Sequence, residues 1–508
     1  MSEFPKPYEF QETAHLRLRA ASKRPSLETG HQRQMLMAPT GSGKTVMGLR
    51  IINEALKKGG RALFICDRTV LIEQTRLAAE RYGMETPGIF QADHHGLALW
   101  RPFQIASSQT IAARGIDDRF DVIVNDEAHT SYAAVTDLIL KSKAAVIGLS
   151  ATPFAKGLGK IYTNLVNAST LGKLVAAGEL KKPVTRSCKR PDMDGAKTSG
   201  GEWTAKAAQE RGMGLVGDVV AEWLRHASDR KTIVFGPTVL HCEELRRQFL
   251  AAGVRAELFT GRTPDAERAA LLEDYRGPNA AIRVLLSVDA LAKGFDVPDI
   301  SCICDCRPLR KSLSTFVQMI GRGLRKSPGL EECVVLDFSG NAVRFRDDFE
   351  DLFWNGLESL DAGEKLDKTV REINEEEGHE GKPCPKCGVA PMSRRCISCG
   401  FEPIVKSLQA HDVGESAPFD LVGQAATDYA PSLASLHAML STVCRRRFEA
   451  TGRGDPRTAT WAKFNAITGR RPPYGCQYET APRVEPSPAL LGKLRSMDIA
   501  FAKRRRQR

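Results

Sequence analysis

The chain has 508 residues, 42% of them hydrophobic, with 13 cysteines and a formal net charge of +12. That length allows three or four domains, and no run approaches the 18 or more apolar residues of a membrane span. The N-terminus, Met1-Ser2-Glu3-Phe4-Pro5-Lys6, carries no signal-peptide apolar region, so a cytoplasmic protein is expected.

Charge is concentrated at the end. Residues 441–508 hold 16 Lys/Arg against 5 Asp/Glu, a net +11, which leaves about +1 for the rest and points to an anionic partner.

In chain order, Pro7-Tyr8-Glu9-Phe10-Gln11 opens a first helix. Residues 35–38 read as a buried strand running into Thr40-Gly41-Ser42-Gly43-Lys44-Thr45, and residues 46–56 then show helical apolar spacing. A Gly-rich turn between strand and helix aims backbone N–H groups and the helix's positive end at one spot, which suits a polyphosphate. Lys44 is placed for the β- and γ-phosphates and Thr45 for Mg²⁺, although Ala38 or Pro39 stands where the pattern has its first Gly. Residues 61–66 form another strand and lead through Arg68 into a helix. Residues 105–110 bring up Ser108 and Gln109, and Asp93-His94-His95 reads as a surface loop. Residues 120–125 are a buried strand ending in Asp126-Glu127-Ala128-His129, where adjacent carboxylates suit Mg²⁺ binding (Asp126) and orientation of an attacking water (Glu127). A further strand, 144–149, ends in Ser150-Ala151-Thr152-Pro153.

Residues 1–165 are thus one α/β lobe, and 166–213 read as a connecting region. Pro191-Asp192 with Glu202 approaches a nuclease pattern, but Thr204 stands where that pattern needs Lys. Residues 214–345 again alternate strand and helix, which implies a second parallel sheet. It holds Gly294 and Asp296 in a Gly-Phe-Asp stretch. It also holds Phe316-Val317-Gln318-Met319-Ile320-Gly321-Arg322-Gly323-Leu324-Arg325, where Arg322 and Arg325 are expected on one helix face, as arginine fingers for a departing γ-phosphate. Cys302, Cys304 and Cys306 alternate along a strand and read as a buried row. Residues 346–380 read as an acidic helical linker. Cys384, Cys387, Cys396 and Cys399 form two Cys-x-x-Cys-Gly knuckles, a closed four-thiolate site for structural Zn²⁺, in a ribbon over 381–403. Residues 404–508 are a basic, mostly helical or disordered tail. In it Trp461, Lys463, Phe464, Arg470, Arg471 and Tyr474 interleave aromatics with bases, which suits unpaired nucleic acid.

The phosphate loop paired with the Asp-Glu-Ala-His box resembles superfamily 2 helicases and translocases, and residues 7 to about 345 carry the motif set in order. The Asp67-to-Gln74 and Gly294-to-Pro298 stretches resemble the restriction-subunit and RadD branch, whose bacterial and phage members often add a Cys₄ zinc ribbon. The resemblance implies two RecA-like lobes and ATP bound between them. It also implies adenine recognition by Tyr8 and Gln11, and nucleotide contacts from Gly294, Asp296 and Gln318. Coupling would run through Ser150 and Thr152, and strand contacts through Arg68, Ser108 and Gln109. The implied activity is nucleic-acid-dependent ATP hydrolysis on DNA, forked or single-stranded, or on RNA. DNA repair and single-strand-binding protein are the implied setting and partner, with a restriction-complex motor as the alternative and a non-catalytic scaffold as the last.

Overall fold

The structure is a computed structural model that describes residues 4–22, 33–67, 69–92, 94–130, 132–261, 263–277, 280–288, 297–371, 373, 381–403, 433–468, 472, 476–487, 490–491 and 494. The chain divides into two compact units, Met1–Pro403 and Ile404–Arg508.

The first unit opens with α1 (Glu9–Ser22), β1 (Arg33–Met37), α2 (Lys44–Leu56), β2 (Ala62–Cys66), α3 (Thr69–Arg81), β3 (Gly88–Phe90) and β4 (Phe103–Ser107). It continues through α4 (Ser108–Arg114), β5 (Val122–Asn125), α5 (Ala133–Lys141), β6 (Ala145–Ser150), α6 (Leu158–Ile161), β7 (Asn164–Asn167) and α7 (Leu171–Ala176). Among the described residues these strands form one parallel sheet, in the order β3-β4-β2-β5-β6-β1-β7. Strands such as β1 and β2 are buried along their whole length, as expected where helices cover both faces. The sheet thereby brings the carboxyl ends of β1, β5 and β6 side by side, and the phosphate loop, the Asp-Glu-Ala-His box and the Ser-Ala-Thr element leave from those ends.

The second lobe begins earlier than its motifs suggest. β8 (Lys182–Ser187) lies in the expected connecting region but pairs in parallel with a strand 150 residues further on. After it come the hairpin β9 (Thr198–Ser199) and β10 (Glu202–Trp203), α8 (Ala205–Gly212), α9 (Val216–His226), β11 (Thr232–Phe235), α10 (Val239–Ala251), β12 (Ala256–Leu258), α11 (Asp265–Tyr275) and β13 (Val284–Ser287). β14 (Cys302–Asp305), α12 (Leu313–Gly323), β15 (Glu332–Asp337) and α13 (Asn341–Arg344) close the lobe. The sheet runs β12-β13-β11-β14-β15-β8. Cys302, Cys304 and Cys306 lie in one apolar cluster with Val234, Leu286 and Trp223, so the alternating row is core. Thr204, the residue that breaks the nuclease pattern, caps α8 by accepting from the Ala207 N–H.

α14 (Arg346–Asn355) and α15 (Leu360–Lys368) were expected as a linker. They form a strap across both lobes instead, because their apolar residues continue the core: Phe349, Leu352 and Phe353 cluster with Phe316 and Ile320 of α12 and with Leu171 and Leu174 of lobe 1. Polar bonds fasten the strap to lobe 1. Asn167 donates to the Leu357 carbonyl at 2.7 Å, and Glu364 accepts from the Gly157 N–H at 2.8 Å.

In the second unit, α16 (Leu433–Thr451) and α17 (Pro456–Thr468) pack as a helical pair around Leu436, Met439, Leu440 and Phe464. Phe464 is fully buried there, with its ring against that of His437, so it is unavailable for base stacking; Trp461 is exposed. Arg470, Arg471 and Tyr474 lie outside the described residues.

Candidate active site and candidate metal centre

The phosphate loop turns because Gly41 and Gly43 adopt φ of 86° and 80°, a left-handed backbone that glycine alone enters freely. Gly43 caps α2 and also leaves room for Gln11, whose Nε2 would sit 2.8 Å from a Cβ at that position. Gln11 is buried and ties α1 to the loop: its amide donates to the Ser42 carbonyl at 2.9 Å, and its carbonyl accepts from the Tyr8 N–H at 3.1 Å. This bracing role differs from the expected reading of an adenine edge. The Tyr8 ring is about half exposed and stacks on Phe10.

Lys44 begins α2 beneath the loop. Burial pulls its ammonium below the usual lysine range, while Glu127 and Asp126 push it back up and Arg322 and Arg325 push it further down. These five side chains therefore share one electrostatic field at the carboxyl ends of the lobe 1 strands. Glu127 has a left-handed φ of 49°, a conformation costing about 1–3 kcal/mol in a non-glycine residue. Its N–H is held by the Asp126 carboxylate at 2.9 Å, and the N–H of Ala128 by the Leu149 carbonyl at 2.9 Å. Strain anchored on both sides is a means of aiming one carboxylate. His129 links the box to the next strand, with Nδ1 3.4 Å from Glu127 and 3.0 Å from the Ser150 hydroxyl.

Lobe 2 closes on this cluster. Gln318 of α12, expected at the nucleotide, donates to the hydroxyl of Thr152 in the coupling motif at 2.8 Å. Gly321 lies against the phosphate loop: a Cβ there would stand 2.8 Å from that of Thr40. Arg322 is buried in the last turn of α12. Arg325 is not on the same helix face as expected. α12 ends at Gly323, and Arg325 forms an isolated bridge with Leu180, with its Cγ beside Gly41. The two guanidinium groups reach the site from different backbone segments.

Sequence reasoning missed what holds α12 in place. The Glu202 carboxylate accepts from the N–H groups of Arg310, Lys311 and Ser312 at 2.7, 3.0 and 2.7 Å, and Asp367 of the strap accepts from the N–H of Ser314 at 2.9 Å. The N–H groups of Ser312 and Ser314 are donors that the helix start leaves orphaned, and those of Arg310 and Lys311 fix the segment leading into it. A lone Glu in a short hairpin offers no signal of this in the sequence.

Of the expected strand contacts, Gln109 is exposed and bonded to Ser107 and Tyr132. Ser108 is buried and donates its hydroxyl to the Cys66 carbonyl at 3.1 Å. Arg68, Gly294 and Asp296 lie outside the described residues.

In the ribbon, the four thiol sulfurs of Cys384, Cys387, Cys396 and Cys399 lie within 4.8 Å of one another. Cys384 and Cys399 are 3.6 Å apart, and Cys387 and Cys396 3.7 Å. A tetrahedral Zn²⁺ with Zn–S bonds of about 2.3 Å needs sulfurs about 3.8 Å apart, so the donor set fits the ion. The ribbon docks on the strap. Glu350, buried on α14, accepts from the N–H groups of Ser393, Arg394 and Arg395, and the Arg395 guanidinium stacks on Trp354 at 3.8 Å.

Comparison with known proteins places these features. Residues 4–155 match the type III restriction enzyme res subunit family and residues 216–327 the helicase conserved C-terminal domain. A 51.5 kDa protein of a Lactococcus phage (isolate 7-9) is 28% identical over 386 residues, 72% of this chain and 78% of that protein. A Saccharomyces cerevisiae protein provisionally named as an ATP-dependent helicase, IRC3, is 25% identical over 343 residues, 62% of this chain but 49% of its own length. Among solved structures, a fragment of a provisionally assigned HsdR subunit of a type I restriction enzyme from Vibrio vulnificus YJ016 superposes with a TM-score of 0.54 at 20% identity, over 70% of this chain and 68% of that one. The ATP-dependent Type ISP restriction-modification enzyme LlaBIII bound to DNA gives 0.50 at 16%, over 91% of this chain and 36% of that one. At such identities these two show the shared fold alone.

Two parallel-sheet lobes with a phosphate loop facing an arginine helix define a nucleic-acid-dependent ATPase. The chain is a superfamily 2 helicase of the restriction-subunit type. Among the described residues no helix is long and apolar enough to cross a membrane.

Proposed function

We propose that this chain is an ATP-dependent DNA helicase or translocase that acts in repair or recombination in the manner of RadD. The observation that carries the motor reading is the approach of the arginine helix to the phosphate loop, with Gly321 against Thr40, the Arg325 side chain beside Gly41 and Gln318 bonded to Thr152. Thr40 to Thr45 hold the phosphates of ATP, and Thr45 with Asp126 hold Mg²⁺, which supplies charge neutralisation on the phosphoryl oxygens. Glu127 orients the attacking water and draws off its proton. Arg322 and Arg325 stabilise charge on the departing phosphoryl group. Gln318 and Thr152 tie the state of the cleft to the grip of the two lobes on a strand, with Arg68 and Gln109 on lobe 1 and Gly294 and Asp296 on lobe 2 taking the motif roles their positions imply. The ribbon holds Zn²⁺ as a structural ion. The likeness to restriction subunits favours DNA over RNA as the track, and single-strand-binding protein and a cytoplasmic setting belong to the same reading. The motor of a restriction complex is the second reading, favoured by the same family match.

Steady-state ATP hydrolysis tests the proposal, with wild type beside Lys44→Ala and with no polymer, single-stranded DNA, duplex DNA or RNA at fixed salt. DNA-stimulated hydrolysis that the variant lacks is expected. Stimulation by RNA alone, or equal turnover by the variant, would overturn it.

A further inference from the structure

Lobe 2 contains a second basic recess, built from none of the residues of the ATP cleft. It has a volume of about 600 Å³, and Arg190, Trp203, Arg310, Arg344 and Arg371 line it. It sits where β8, β15 and β14 end, at Ser187, Asp337 and Asp305, and each strand runs on into one of its arginines. Open α/β sheets place ligands outside the carboxyl ends of their strands, as lobe 1 does with its phosphate loop.

Four arginines converge on this recess. Arg344 stacks on Trp203 with Cζ 4.6 Å from the ring centre, and donates to the Leu309 carbonyl at 3.0 Å and the Asn341 side chain at 3.1 Å. Burial pulls its guanidinium down to about 10. Asp337 opposes that fall, Arg190 deepens it, and Asp305 and Glu202 also oppose it. The Asp337 carboxylate is already spent on the N–H groups of Ser339, Gly340 and Ala342. Arg190 crosses the start of α13 so closely that a Cβ on Gly340 would stand 2.7 Å from its Cδ. Arg371 is engaged with Asp348 and with the carbonyls of Leu366 and Thr369. Arg310 uses its backbone N–H on Glu202, but among the described residues its guanidinium has no hydrogen bond or ion pair. At the rim, Asp192 and Asp194 are exposed and turned onto their own loop, accepting from the N–H groups of Asp194 and Gly195.

We propose that this recess binds phosphate groups, as a site separate from the ATP cleft. Guanidinium forks match phosphate oxygens in pairs, and the fork of Arg310 is open to such a pairing beside three further arginines. The phosphates come from a nucleic-acid strand lying over lobe 2 or from a free polyphosphate, and binding distinguishes the two.

The test uses the full chain in a Lys44→Ala background, so that neither hydrolysis nor the ATP cleft's lysine contributes. Failure of this site is thereby separated from failure of the motor reading. A labelled single strand is followed by anisotropy across a salt series, and inorganic pyrophosphate by calorimetry, for the parent, Arg310→Ala, Arg190→Ala and Arg310→Lys. Arg310 is partly exposed, and thermal melts check that each variant is folded. If a strand occupies the recess, each alanine change weakens strand binding about fivefold or more and lowers the salt slope by about one, and Arg310→Lys restores part of the loss. If a free polyphosphate occupies it, the loss falls on pyrophosphate instead. Unchanged affinity for both in both folded alanine variants would overturn the proposal.

Discussion

The Gln318 amide donates to the Thr152 hydroxyl at 2.8 Å, joining the arginine helix of one lobe to the strand end of the other. Thr152 is itself anchored, because its N–H is held by the Ser150 hydroxyl at 3.1 Å, which lies 3.0 Å from His129. One line of polar contacts thus runs from Glu127 to α12.

A double-mutant cycle tests whether that line carries energy. Gln318→Ala and Thr152→Val should each reduce polymer-stimulated ATP hydrolysis about tenfold while changing unstimulated hydrolysis less than about threefold. Because each removes the same neutral bond, the double variant should be little worse than either one, with a coupling energy of about 1 kcal/mol. Strictly additive losses would show that the bond plays no part in coupling.

Glu202 supplies the second prediction. Glu202→Ala leaves three N–H groups at the start of α12 without their acceptor and should destabilise lobe 2 by about 2 kcal/mol. It should also lower kcat more than it raises the KM for ATP, because Arg322 is displaced while the phosphate loop is untouched. Glu202→Gln retains an acceptor oxygen and should recover part of both. If Glu202→Ala raised the KM alone, the positioning role would fail.

The third prediction concerns the ribbon. The purified chain should hold about one zinc, and Cys387→Ser or a strong chelator should remove it. Losing the metal releases the Glu350 acceptor and uncovers Trp354, whose indole N–H also donates to the Arg395 carbonyl at 3.2 Å. Its fluorescence should therefore change on chelation, and the change should vanish in Trp354→Phe. Full metal retention by Cys387→Ser would refute the four-thiolate site.

The parts of this protein legible in its sequence are those whose chemistry sits in one contiguous stretch. The phosphate loop needs Gly41, Gly43 and Lys44 within four positions, and the ribbon needs two short knuckles, so spacing reveals both. Functions assembled from distant residues leave no local pattern. Glu202 and Ser312 lie 110 positions apart. Arg325 is a different failure: helical spacing from Arg322 was right for α12, but pairing with Leu180 ends the helix regularity first. The strap reads as a linker because its acidic residues match its apolar ones in number, yet Phe349, Leu352 and Phe353 decide where it packs. Ser108 shows that a hydroxyl in a contact motif can be consumed by its own neighbours.

The position of β8 has a consequence for synthesis and for dissection of the protein. The outermost strand of the lobe 2 sheet is the first to be made, and its only neighbour among the described residues, β15, the last. During translation Lys182–Ser187 must wait for some 150 residues before it can pair, a long loop to close and a slow step by topology. A fragment cut at residue 214, where the second lobe's motifs begin, would omit β8 and bare the full six-residue flank of β15 to other chains. An isolated lobe 2 must start before Lys182 to be soluble, so the border between the two motor halves falls inside what reads as their connection.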